Sequence, residues 1–197
     1  MRKAEAMEYI KKNGGMIKAE EAAQKGISRK MLSSLTKQGV LVRDAPGVYS
    51  MPDAAFDDLF VLQCRDPRIV FSHETALYLH NIAERVPEAH SVTIPSNKRL
   101  SPQIKRACKV YYVKDELFNM GVVEVSSHLG HKVRAYNVER TVCDILRSRN
   151  RIDSQTVVAA LRNFATLSKK DIARFGKYAE KFGVLALARQ YLEVLLP

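Results

Sequence analysis

A chain of 197 residues with 46% hydrophobic content can bury a substantial core, either as one large domain or as a small module joined to a larger one. Its formal net charge of +11 favours a polyanionic partner, because positive potential draws nucleic acid in by releasing counterions, although ribosomal or membrane-surface association would carry the same charge. Met1 to Asn13 is charged and amphipathic rather than a leader, no apolar run approaches the ~20 residues of a membrane span, and Cys64, Cys108 and Cys143 are too scattered for a disulfide framework or a four-thiolate zinc site. A cytoplasmic protein with small buried thiols is expected.

A first helix is predicted from about Arg2 to Asn13, with Ala6, Met7 and Ile10 as its apolar stripe and Gly14-Gly15 as its stop. A second covers Lys18 to Lys25, where Ala22 and Ala23 allow close packing and Gly26 suits a tight turn. Ser28 then caps a third helix, SRKMLSSLTKQ, that ends at Gly39. At 100° per residue Met31, Leu32 and Leu35 share one side of it, while Arg29, Lys30, Ser33 and Lys37 share the other. Val40 to Arg43 and Val48 to Met51 have strand composition, and Ala45-Pro46-Gly47-Val48 fits a type II turn.

The pattern is that of a winged helix-turn-helix. A three-helix core with a hairpin is also a cheap way to build any small domain, and lysine-rich helix faces are commonly just solvated. Here, however, the exposed side of the third helix carries Arg, Lys and hydroxyls without a carboxylate, and the hairpin adds Arg43. Such side chains can hold phosphates and read guanine edges from a major groove, which makes Ser28, Arg29, Lys30, Ser33, Ser34, Lys37 and Arg43 candidate DNA contacts.

Past residue 52 the organisation changes, and residues 53–197 are expected to form a second, mixed α+β domain ending in helices. Pro52-Asp53 opens a helix burying Phe56, Leu59, Phe60 and Leu62, and Arg65-Asp66-Pro67 closes it. Ser72 caps HETALYLHNI. Strands are predicted at Ser91 to Ile94, Val110 to Val113, Val122 to Ser126 and Lys132 to Tyr136, with a short helix opened by Ser101-Pro102. Asn137 caps VERTVCDILRSR. Ser154 to Leu196 reads as three short helices separated at Leu167-Ser168 and Gly183, with Ser168 to Asp171 as a capping box.

The order of segments GVLVRDAPGVYSMP, IVFSHETALYLHNI, SVTIP and NVERTVCDIL before a helical tail resembles AbiEi-type antitoxins of type IV toxin-antitoxin systems, over nearly the whole chain. The resemblance implies a transcriptional autorepressor that binds inverted repeats of double-stranded operator DNA. It also implies a C-terminal domain that counteracts a co-encoded nucleotidyltransferase-like toxin in abortive infection. It points to SHETAL and NVERTVCDIL for antitoxicity, hence to Ser72, His73, Glu74, Arg140, Thr141 and Asp144.

Further basic runs lie outside the winged helix. Lys98, Arg99, Lys105, Arg106, Lys109 and Lys114 occur with no carboxylate among them, and Arg147, Arg149 and Arg151 follow NVERTVCDIL. They read either as solvated faces or as an extension of a DNA track. Arg140 and Asp144 stand four apart on one helix face, where an exposed pair would be worth only a few tenths of a kcal/mol.

A DNA-processing enzyme targeted by a winged helix and a ligand-responsive regulator are the alternatives. A restriction-like nuclease would need an E-x-K pair, which the chain lacks; Gln103-Ile104-Lys105 is the nearest variant and sits in a basic helix. His128-Leu129-Gly130-His131 reads as a hairpin turn rather than a zinc site, and no phosphate-cradling glycine loop or nucleophile elbow is present. Neither catalysis nor a cofactor or metal is expected. No heptad seam announces a stable dimer, so a monomer in solution that pairs on its operator is anticipated.

Overall fold

The computed structural model describes residues 2–195. The chain divides into two compact units, one of residues 2–67 together with 127–131, the other of residues 68–126 and 132–195.

In the first unit, helices α1 (Lys3–Lys12), α2 (Ala19–Gln24) and α3 (Arg29–Lys37) precede a hairpin of β2 (Val42–Ala45) and β3 (Val48–Ser50). Pro46-Gly47 forms the hairpin turn, with Gly47 at φ 75° as a type II turn requires. Strand β1 (Met16–Lys18) pairs antiparallel with β3, giving a three-stranded sheet of order β1-β3-β2. That strand is not among the predicted elements. Its three residues become a strand only through pairing with Val48–Ser50, a long-range partner that local pattern does not reveal. Ala6, Ile10, Ile17, Ala22, Ile27, Leu32, Leu35 and Leu41 form one buried cluster, which fixes α3 by its apolar side.

Helix α4 (Asp58–Arg65) starts later than the expected Pro52-Asp53, because Asp57 is its N-cap and accepts from the Phe60 amide at 3.0 Å. Phe56, expected inside, lies before the helix and is 58% exposed.

The second unit is built on a five-stranded mixed sheet of order β6-β5-β4-β8-β7. Its strands are β4 (Val70–Phe71), β5 (His90–Pro95), β6 (Cys108–Val113), β7 (Val122–Ser126) and β8 (Lys132–Tyr136). Strands β5 and β6 run parallel, as do β4 and β8, whereas β4 with β5 and β7 with β8 run antiparallel. The two-residue central strand β4 escapes the sequence pattern by its brevity.

Helices α5 (His73–Leu79), α6 (Pro102–Ala107) and α7 (Asp115–Phe118) connect the strands, followed by α8 (Val138–Arg147), α9 (Ser154–Thr166), α10 (Ile172–Lys181) and α11 (Leu185–Leu195). The predicted end of the tail at Leu196 lies outside the described residues. Ser101 and Asn137 cap α6 and α8 as expected, accepting from the amides of Ile104 and Arg140. Two expected caps differ. Asp171 itself, not Ser168, caps α10 by accepting from Arg174 N at 2.8 Å. Ser72 precedes α5 without capping it, its hydroxyl being engaged by Thr93 and His73. Val70, Leu77, Tyr136, Val142, Ile145, Leu146, Leu161, Phe164 and Phe175 are among the buried residues of a continuous core under α8. The whole is therefore α+β: a winged helix-turn-helix followed by a mixed α+β region ending in helices.

Asp57 does more than cap. Its Oδ2 also takes the Ser127 hydroxyl and His131 Nδ1, the latter at 2.8 Å, while the His131 ring stacks on Phe60 with centroids 4.4 Å apart. Burial pushes the Asp57 carboxyl up, but the bonds from His131, Ser127 and the Phe60 amide outweigh it and hold the group below its ordinary 3.8. A depressed carboxyl stabilises the fold above its unfolded pKa and loses that contribution as pH falls through the folded value. Asp57→Ala should therefore cost about 2–4 kcal/mol at neutral pH, from the lost cap and the orphaned donors. In urea unfolding followed by circular dichroism, the gap from the native protein should narrow as pH falls below 3.8.

Candidate nucleic-acid interface

Helix α3 is amphipathic in the way groove docking requires. Leu32 and Leu35 are buried, whereas Arg29, Lys30, Ser33, Ser34 and Lys37 are exposed. The helix starts where Ser28 Oγ accepts from Met31 N at 3.2 Å, which leaves the Ser28 hydroxyl proton free to donate outward. Ser34 Oγ accepts from Gln38 Nε2 at 2.9 Å, and Gln38 in turn takes Lys3 Nζ, so this end of the helix is braced against α1.

Several surface cations of the molecule are paired with acids. Lys12 pairs with Glu8, Arg2 with Glu5 and Arg174 with Asp171. Arg29, Lys30 and Lys37, by contrast, have no ion-pair or hydrogen-bond partner among the described residues. Arg43 on β2 is equally free, exposed opposite Tyr49 where the β2–β3 register shifts. No acid neutralises this surface from within α3, so its potential is available to phosphates.

The second basic set belongs to the second unit. Lys98 and Arg99 follow β5, Lys105 and Arg106 occupy the last turn of α6, and all four are exposed. Lys109, on β6, is partly spent on Glu74 at 2.9 Å.

The residues singled out in SHETAL and NVERTVCDIL come together in the interior. Ser72, His73, Arg140, Thr141 and Asp144 are all buried; Glu74 alone of the set is partly exposed. His73 takes the left-handed φ of 49°, unusual for a side chain with a Cβ. It is held there by Ser72 Oγ at 2.9 Å on Nδ1, Ser148 Oγ at 3.0 Å on Nε2, and a stack on Tyr111 with centroids 3.4 Å apart. Burial, followed by the charges of Arg140, Arg151 and Arg147, keeps His73 well below its ordinary 6.5 and so uncharged. Thr141 Oγ1 bonds back to the Asn137 carbonyl at 2.8 Å.

The expected surface pair of Arg140 and Asp144 is instead a buried one. Arg140 is 0% exposed; its Nε donates to Asp144 at 3.0 Å, and one Nη donates to the Leu117 and Met120 carbonyls at 2.9 and 2.8 Å. The guanidinium carbon lies 4.0 Å from the ring centroids of both Tyr136 and Phe182. Burial raises Asp144 to about 6 against the pull of Arg140. Tyr111, Ser148 and Phe182 were not marked by sequence reasoning, since their partners lie far away in the chain.

Residues 5–52 match the family described as transcriptional regulator, AbiEi antitoxin. The N-terminal segment is thus similar to the regulators and antitoxins of that family. Over 95% of its length, and 79% of the other chain, the protein is similar to the crystal structure of the RV2827C protein from Mycobacterium tuberculosis, with a TM-score of 0.55 and 14% identity. That likeness is one of fold. No curated protein sequence matches the chain. The AbiEi family is one of regulators and antitoxins rather than catalysts. Among the described residues no group of three or more His, Cys, Asp or Glu could hold a metal, and no helix is long and apolar enough to cross a membrane.

The Arg140 site yields a stability test. Arg140→Ala leaves Asp144 and two carbonyls without their donor, which should destabilise the protein by about 3–5 kcal/mol. Arg140→Met combined with Asp144→Leu, which removes both charges, should recover part of that loss in the same urea titration.

Proposed function

We infer that the protein is a DNA-binding antitoxin of a type IV toxin-antitoxin system. Its winged helix represses its own operon by binding inverted repeats in the promoter, and the region after Pro52 counteracts a nucleotidyltransferase-like toxin in the cytoplasm. The observation that carries the DNA half is the unpartnered, acid-free cationic face of α3 on a segment similar to the AbiEi family. Arg29, Lys30, Ser33 and Lys37 supply phosphate and base-edge contacts; Ser28, Ser34 and Arg43 add to them from the helix ends and the wing. Lys98, Arg99, Lys105, Arg106 and Lys109 supply further phosphate contacts. Two monomers load on one operator, one per half-site.

For the antitoxin half, the burial of Ser72, His73, Arg140, Thr141 and Asp144 favours a role in shaping the second unit rather than in touching a toxin directly. Glu74 is the member of the set with a surface to offer.

Replacing Arg29, Lys30 and Lys37 together by Ala should weaken binding to the chain's own promoter. In fluorescence anisotropy across a potassium chloride series, the slope of log K against log salt should shrink by as much as ~3, since each lost phosphate contact removes about 0.9. An unchanged slope in a folded variant would move DNA reading elsewhere.

The same full-length triple variant, expressed from an unrelated promoter, should derepress the native promoter yet still protect cells from the co-encoded toxin. Loss of protection together with loss of repression would show that the two activities are not separable.

A further inference from the structure

Beneath its surface the second unit carries a depression of about 340 Å³ whose lining has no part in groove reading. This volume lies within the ~300–1,000 Å³ range of small-molecule sites. Three arginines line it, Arg140, Arg147 and Arg151, against the single carboxylate of Asp144. Even with Asp144 fully ionised, two guanidinium charges remain uncompensated within one concave space.

We propose that this depression is a receptor site for a small phosphorylated molecule, whose phosphate is bound by Arg147 and Arg151 at the rim over a floor made by His73 and Arg140. Guanidinium groups suit such a ligand because their planar forks donate two parallel hydrogen bonds to a phosphate.

The donors are available. Arg147 is exposed and has no hydrogen-bond or ion-pair partner among the described residues. Arg151 is held in place without being consumed: its guanidinium carbon lies 4.6 Å from the Tyr111 ring centroid, and one Nη makes a long bond of 3.4 Å to the Val110 carbonyl. Tyr111 is itself fixed by its stack on His73. One arginine therefore stands on a rigid aromatic column, and a second, with its guanidinium carbon 5.8 Å from the Phe182 ring centroid, keeps its N–H donors unspent beside it. On the floor, Arg140 Nη2 is buried with no hydrogen-bond partner, an unsatisfied cationic N–H of the kind that folded proteins seldom leave unfilled.

His73 also lines the depression, where burial first, and then the charges of the same three arginines, keep its ring uncharged, so it adds no positive charge of its own to the site. The exposed Tyr112 at the edge adds a flat apolar surface on which a nucleoside could rest beyond the phosphate.

Concavity separates this ligand from a DNA backbone, whose phosphates sit on a convex ridge and would meet the rim arginines but not the buried His73 and Arg140.

The test is isothermal titration calorimetry of the full-length protein with two probes, inorganic phosphate and adenosine monophosphate, in a buffer free of other oxyanions. Both should bind saturably. AMP binding more tightly than phosphate would show the remainder of the ester seated against Tyr112, and equal affinity would show that the phosphate alone is held; either supports the site. Arg147→Ala with Arg151→Ala should weaken both probes about tenfold or more, as the loss of two charge-assisted donors implies. Arg147→Ala alone, which leaves no group unsatisfied, should give a smaller loss with an unaltered circular dichroism spectrum. A random-sequence duplex at saturating concentration should leave AMP bound. The proposal is overturned if neither probe binds at millimolar concentration, if the double variant binds as the native protein does, or if the duplex displaces AMP and so assigns these arginines to the DNA track.

Discussion

The second unit is organised around one buried cation. Arg140 leaves α8 and reaches the carbonyls of Leu117 in α7 and Met120 just after it, the Asp144 carboxylate one turn along its own helix, and the rings of Tyr136 on β8 and Phe182 at the end of α10. Four separate stretches of chain are thereby pinned to one planar group. Removing a guanidinium from water is costly, and the compensation is collective: each partner recovers a part, and none suffices alone. Gly121 shows how tight the arrangement is. Its φ is 79°, and a Cβ there would come within 2.9 Å of Arg140 Cβ. The glycine is required both by the turn and by the passage of Arg140.

The first unit handles charge in the opposite way. Its core is aliphatic, its sheet is small, and the cations of α3 have no acid within their helix. A surface like this repels itself modestly and has no internal partner to give up when a polyanion arrives. Binding therefore needs no ion pair broken first, and the free energy of counterion release is kept. Rigidity comes instead from the apolar side of α3 and from the Asp57 cluster, which ties the start of α4 to Ser127 and His131.

What was legible in the sequence follows from the range of the forces involved. Helix α3, its Ser28 cap and the Pro46-Gly47 turn are set by neighbours within four residues, and so could be read directly. The same holds for the caps at Ser101 and Asn137. Strands β1 and β4 could not be read, since three and two residues carry no period of their own and exist by pairing, β1 with Val48–Ser50 and β4 with Val92 and Thr93 on one side and Ala135 on the other. The capping misreadings have a related origin. Several polar residues could have capped α4 and α10, and tertiary contacts chose Asp57 and Asp171, the second through the bond from its amide to buried Glu139 at 2.9 Å. The Arg140–Asp144 spacing was visible, but its burial was not, because an i,i+4 pair of charges looks the same on a wet face as on a dry one.

The location of the SHETAL and NVERTVCDIL segments can be understood from this difference. A sequence reader notices their polar residues because such residues are rare between apolar ones, and the usual reason for that rarity is that they are inside and fully bonded. His73 and Arg140 are interior groups whose hydrogen bonds tie α5 to the end of α8, while the stack of His73 on Tyr111 adds β6. Where the interior polar network meets the surface, at Arg147 and Arg151, it stops being self-sufficient: positive charge accumulates there faster than acids offset it. A fold built on a buried arginine thus produces, at its edge, a concave cationic surface whose shape is fixed by residues that never touch solvent. Any ligand seated at that edge would be coupled to α8 through contacts already in place, with no rearrangement needed to create them.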